Sequence, residues 1–227
     1  MDLESASTVQ QVISSDGFEA LSPQLKVALF IGGMALISSA LVTMTAFTRI
    51  VIVLSFVRRA LSTQEIPPTQ VILGLSLFLT FFVMSPTITL IEKDAVQPYL
   101  ADQISLDQAL SNGSDAMKSF MLQQTRLQDI ALFAKMARIS RIQTPYDTPM
   151  NVLIPAYVIS ELKTAFIMGF CLYIPFILID LVVSVILMSL GMMMMSPMVI
   201  STPFKIMLFV LVDGWQLIAH VLSMSFH

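Results

Sequence analysis

Four consecutive methionines, Met192-Met193-Met194-Met195, stand between Gly191 and Ser196-Pro197, inside a stretch without charge from Leu181 to Phe204. Thioether sulfur is a soft ligand that can take copper(I). A transport site, however, needs converging ligands with Cys or His in support, and the only histidines are His220 and His227. No metal role follows. The second use of methionine is mechanical: its long, unbranched, polarizable chain repacks around neighbours of different shape, and a narrow apolar constriction holds back ions and water by dewetting. Helix breakers at both ends make the run a loop, and four successive side chains cannot share one helix face. A compliant seal is one reading, and a gap-filling apolar turn in a chain with 17 methionines is the other. One loop cannot close a ring, so a seal requires several copies around an axis.

Charges set in apolar sequence are the second group that could act: Arg49 in the first half, and Glu161, Lys163, Asp180, Lys205 and Asp213 in the second. Each would cost roughly 2.5 to 3.5 kcal/mol at the centre of a membrane helix, so each should find a partner or a wet cavity. Glu161 and Lys163, two apart, point to different helix faces and would pair with different helices or another subunit. Structural or inter-subunit pairing, a conduction pathway and snorkelling of long side chains to an interface all stay open. No P-loop, glycine-rich dinucleotide turn, metal-ligand cluster or nucleophile and base constellation occurs. Neither catalysis nor a cofactor is expected.

These residues sit in a chain of 227 residues that is 56% hydrophobic and 12% charged, with a mean hydropathy of +0.83. That is far more apolar than a soluble domain of this length, and it implies an all-α integral membrane protein. Uncharged runs cover 27–48, 66–91, 164–179 and 181–204, followed by 206–212 and 214–227. Spanning needs roughly 20 apolar residues, so the first two are comfortable spans. A net charge of -3 without a basic patch argues against nucleic acid. The single cysteine, Cys171, lies in an apolar run and packs as a small hydrophobe.

Residues 1–24 form a polar segment with Asp2, Glu4, Asp16 and Glu19. They lack the basic start and apolar core of a secretory signal, so a signal either never existed or has been removed. Residues 25–91 read as an apolar helical hairpin: one helix from Val27 to Val57, interrupted only by Arg49, and a second from Thr69 to Ile91, with Pro86 as a kink or stop. Arg58-Arg59 in the connecting loop belongs on the cytoplasmic side by the positive-inside rule. The polar segment 92–150 then faces outward. Within it, Ser105 and Gln108 make a capping box for a short helix ending at Asn112-Gly113. Ser114 and Asp115 open a longer helix with Phe120, Leu127, Ile130, Ala134 and Ala137 on one face. Residues 151–227 are apolar again and carry Pro155, Pro175, Pro197 and Pro203 around a methionine loop at 191–197. The expectation is short, broken helices whose backbone lines a cavity. No internal repeat is evident, which weakens an inverted-repeat transporter.

Six ordered motifs resemble one family. They are TAFTRIVIVLSFVRRAL from Thr45 to Leu61, FLTFFVMSP from Phe78 to Pro86, LIPAYVISELKTAF from Leu153 to Phe166, IPFILIDLV from Ile174 to Val182, LGMMMMSPM from Leu190 to Met198, and TPFKIMLFVLVDGWQL from Thr202 to Leu217. With Pro67-Pro68, they resemble the FliP/SctR family of type III export-gate proteins. The resemblance implies a non-enzymatic, pore-forming subunit for unfolded export substrates, in the bacterial inner membrane and flagellar basal body. It implies a homo-oligomer, a pentamer in that family, that joins FliR and FliQ in a closed helical cone and binds FlhB. Much of the apolar chain would be lifted to the periplasmic side. The methionine loop would be a gasket carried by Met192, Met193 and Met194, with Met195 standing where many relatives have another apolar residue. FMLQQTR, from Phe120 to Arg126, and Asp213-Gly214-Trp215-Gln216 favour the flagellar branch over the injectisome branch. The injectisome subunit, a small-solute secondary transporter and a structural membrane scaffold are the alternatives.

Overall fold

Ser22 opens the first helix: its hydroxyl accepts from the Leu25 amide, and Pro23 follows where a missing N-H costs nothing. This helix, α1 (Pro23–Met44), stops at Thr45, and α2 (Phe47–Ala60) starts after Ala46. The single helix expected over 27–57 is therefore two. Arg49, Ile50, Val53, Leu54, Val57 and Ala60 are buried at helical spacing along one side of α2. Arg58 and Arg59 lie in its last turn, where the negative end of the helix dipole favours cations. The computed structural model describes residues 22–63, 66–139, 144–192 and 195–226. Residues 1–21 of the polar N-terminal segment, Met193, Met194 and His227 lie outside them.

The next helix, α3 (Thr69–Ile91), runs through Pro86 and passes without a loop into a π-helical stretch, Glu92–Val96, and a short α4 (Gln97–Leu100). Then come α5 (Leu106–Gln124), α6 (Leu127–Met136), a 3-10 turn at Pro145–Asp147, α7 (Met150–Ser189), α8 (Pro197–Leu211) and α9 (Gly214–Met224). Among the described residues all regular structure is helical. Among the described residues two helices are long and apolar enough to cross a membrane, 69–100 and 150–189, and α8 with α9 would add a third if the bent pair counts as one.

The chain folds as two units. One gathers the described residues through Thr45 with Met84–Ser160. Its carbonyl at Thr45, freed where α1 ends, accepts from the hydroxyl of fully buried Tyr157 at 2.9 Å. The capping box at Ser105 and Gln108 is present in both directions, but Asn112-Gly113 does not end α5. Pro98 has no N-H to offer the carbonyl of Asp94 four residues back, and Asn112 Nδ2 donates to that oxygen at 2.8 Å. Gly113 faces Ile91 and Ala95, where a Cβ would sit 3.9 and 4.0 Å from their side chains. The stop falls instead at Thr125, so the helix expected to begin at Ser114 is divided between α5 and α6. Ser160 Oγ accepts from the Arg126 amide at 3.1 Å and donates to the Gln124 carbonyl at 3.4 Å, serving the groups freed by the break. Ahead of α7, the Asp147 carboxylate accepts from the Thr144 hydroxyl at 2.8 Å and the Thr144 amide at 2.9 Å. The hydroxyl first and the amide second hold it below the usual carboxylate range.

The other unit joins Ala46–Val83 to the described residues from Glu161 onward. Phe56 meets Phe166 edge to face at 5.5 Å and lies on Gly169, where a Cβ would be 2.6 Å from the ring. Only glycine admits that approach. The expected breaks fall at the turn after α7 and between the short α8 and α9, whereas Pro155 and Pro175 leave α7 continuous over 40 residues and Pro203 lies inside α8. At about 1.5 Å per residue, α7 reaches roughly 60 Å. The axis bends by 63° between α8 and α9. Asp213 makes the corner in the left-handed region, at φ 49°.

Candidate functional site

The more enclosed of two ion pairs among the described residues joins Arg49 and Glu161, whose side chains are 3% and 0% exposed. Arg49 Nε donates to Glu161 Oε2 at 2.8 Å, and Nη2 donates to Oε1, a bidentate pair. The third nitrogen, Nη1, donates to the Ser225 carbonyl at 2.8 Å and to its hydroxyl at 3.1 Å. The guanidinium also lies 3.8 Å from the centre of the Phe226 ring, a cation-π contact. Ser225 caps the C-terminal end of α9, so a cation meets the negative end of that helix. One arginine thus ties α2, α7 and the end of α9.

A second cluster forms at the other end of α2. Lys205 Nζ donates to Asp180 Oδ2 at 2.5 Å and to Ser62 Oγ at 2.6 Å, while Ser201 Oγ donates to Asp180 Oδ1 at 2.5 Å. Lys205 is 1% exposed and the Asp180 side chain 38%. Ser201 and Lys205 are four apart and so share a face of α8, a spacing visible in sequence once Asp180 is known to lie opposite. Ser62 and Ser225 carry no such signal, because each acts from a helix end that only the folded chain brings to its partner.

Two of the embedded charges stand apart. Lys163 is exposed on α7 and Asp213 is exposed at the α8 to α9 corner, and neither makes an ion pair among the described residues. Glu161 and Lys163 therefore have separate surroundings, as opposite faces of a helix require.

The methionine run begins at a glycine-terminated helix end. Gly191 has φ 72°. Its amide donates to the Met188 carbonyl at 3.1 Å, and the Met192 amide reaches back to the Leu187 carbonyl at 3.0 Å. These two bonds are a Schellman motif, which stops α7 without leaving its last carbonyls bare. Met192 and Met195 are exposed. Beside the turn, Leu178, Val182, Ile186 and Leu187 of α7 and Ile200 and Phe204 of α8 line an apolar groove. Nothing in this set resembles a catalytic constellation: two neutralised ion pairs fix helices, and the exposed thioethers offer a soft, apolar surface.

Known proteins share this sequence at length. The pattern of the FliP family matches residues 30–222. The flagellar biosynthetic protein FliP of Pectobacterium carotovorum subsp. carotovorum is 51% identical over 93% of this chain and 82% of its own length. Its counterpart in Bacillus subtilis strain 168 is 49% identical over 95% of this chain and 97% of its own length. That of Aquifex aeolicus is 45% identical over 91% and 87%.

Proposed function

The chain belongs to the FliP family, and from that membership we propose that it is a pore-forming subunit of the flagellar type III protein export gate. One observation supports this most: α7 is a single helix of 40 residues that ends on the methionine turn. Its length of roughly 60 Å is twice the hydrocarbon core of a bilayer, about 30 Å. A bilayer covers only about half of that length, and the exposed Phe166, Phe170, Leu181 and Val185 form an apolar surface suited to cover by other protein. Copies of this chain supply the cover, five in the proposed assembly, together with FliQ- and FliR-type subunits and an FlhB-type partner. The assembly sits in the bacterial inner membrane and flagellar basal body, raised toward the periplasm. Unfolded substrates pass along its axis without chemical conversion.

In this reading Met192, Met193, Met194 and Met195 from each copy meet around the axis as a gasket. Arg49 with Glu161 and Asp180 with Lys205 keep the helices of one subunit in register, while Lys163 and Asp213 remain for assembly. Changing Met192, Met193 and Met194 together to alanine tests the seal. Assembly should persist, while ion leakage through the complex rises or secretion falls. Leakage and secretion both at wild-type level would return the run to a gap-filling turn.

A further inference from the structure

We propose that Lys163 of one copy of this chain pairs with Asp213 of the next, an inference that rests on the subunit reading above and names the residues that join the copies. Of the six charges embedded in apolar sequence, four are neutralised within the chain, Arg49 by Glu161 and Lys205 by Asp180. The remaining two have opposite sign. Both are exposed, and neither makes an ion pair among the described residues.

Their surroundings match as well as their charges. Lys163 lies on one exposed stripe of α7 with Phe166, Ile167 and Phe170, three, four and seven residues on, the spacing of a single helix face. An exposed apolar stripe of this kind is built to be covered, and its one ammonium asks for a carboxylate on whatever covers it. Asp213 is such a carboxylate. It is fixed at the corner between α8 and α9 by its left-handed backbone, and the next residue, Gly214, packs so closely on the Phe209 ring that a Cβ would overlap it. Val210, Leu211 and Leu217 around it are exposed. An ammonium rimmed by apolar side chains on a helix and a carboxylate rimmed by apolar side chains on a fixed corner are complementary in both respects. They lie on different elements, so copies joined head to tail leave each with a Lys163 for one neighbour and an Asp213 for the other.

The test uses the full chain with its export-gate neighbours co-expressed. In a Cys171→Ser background, one tagged copy carries Lys163→Cys and a differently tagged copy carries Asp213→Cys. A short bifunctional thiol reagent is applied to membranes, because a lysine and aspartate pair spans more than a disulfide can. The expected product is a dimer bearing both tags that disappears when either cysteine is omitted. Independently, Lys163→Asp or Asp213→Lys alone sets like charges face to face and should lower the recovered oligomer on the order of tenfold or more. The double exchange should restore it. An oligomer recovered from the wild-type chain, with no two-tag product from the paired cysteine variants and no recovery in the double exchange, overturns the pairing and leaves the subunit reading standing. A wild-type chain that stays monomeric in every condition overturns both.

Discussion

Replacing Glu161 with alanine removes the acceptor for two N-H groups of Arg49, from a guanidinium whose side chain is 3% exposed. A guanidinium keeps its charge inside a protein, and its bonds to Ser225 and its contact with Phe226 do not replace the lost carboxylate. Breaking a buried pair by removing one partner costs about 3 to 5 kcal/mol, a large part of the roughly 5 to 15 kcal/mol that holds a domain folded. For a chain of this length each kcal/mol moves the melting temperature by about 2 to 4 °C. Glu161→Ala should therefore melt roughly 6 to 20 °C lower in detergent. Glu161→Gln keeps the shape and one acceptor and should fall between. Exchanging both charges for apolar side chains, Arg49→Met with Glu161→Leu, should recover most of the loss. Fluorescence-detected melting of the wild type, Arg49→Met, Glu161→Leu and the double variant gives the cycle and its coupling energy. Single variants that melt with the wild type, or losses that simply add in the double variant, would refute the view that this pair locks α2 to α7.

The second ion pair should respond asymmetrically. Asp180→Ala strands a lysine that is 1% exposed, whereas Lys205→Met leaves a carboxylate that is 38% exposed and can be hydrated, so the first should melt lower; the reverse order would contradict the assignment. Tyr157→Phe takes the hydroxyl donor from the Thr45 carbonyl, which should cost about 1 to 3 kcal/mol and speed amide exchange around the α1 to α2 break; unchanged exchange there would refute its capping role. Because Asp147 titrates below the usual carboxylate range, its support of the turn before α7 is complete above the ordinary aspartate value, about 3.9, and is lost as pH falls through its lower folded value. Thr144→Val should move the carboxyl titration upward by NMR, and an unmoved midpoint would show that Thr144 is not the cause.

Local punctuation was legible in the sequence wherever a residue acts through its own neighbours. Ser105 with Gln108 caps α5 in both directions, and Gly191 ends α7 as the glycine before the methionines implied. The misread stops have long-range causes. Asn112-Gly113 resembles a helix end, yet both stay helical: Asn112 serves a carbonyl that Pro98 bares, and Gly113 lies beside Ile91 and Ala95, where a Cβ would also fit. At Thr45 and Thr125 no glycine or proline marks a break. The breaks persist because Tyr157 and Ser160, more than 30 residues away, serve the freed groups. Pro155 and Pro175 read as breakers, but α7 passes through both. The embedded charges were visible as a set, while their division into two internal pairs and two exposed residues depends on helix packing that periodicity does not encode.

In the proposed gate the methionine turn faces a shared axis. A side-chain-resolution map of the complex purified with its co-expressed neighbours measures this directly. Several copies should surround a channel, with the turns at Met192 to Met195 converging on its narrowest point. Turns that face lipid or lie away from the axis, with the channel lined by other residues, would contradict it.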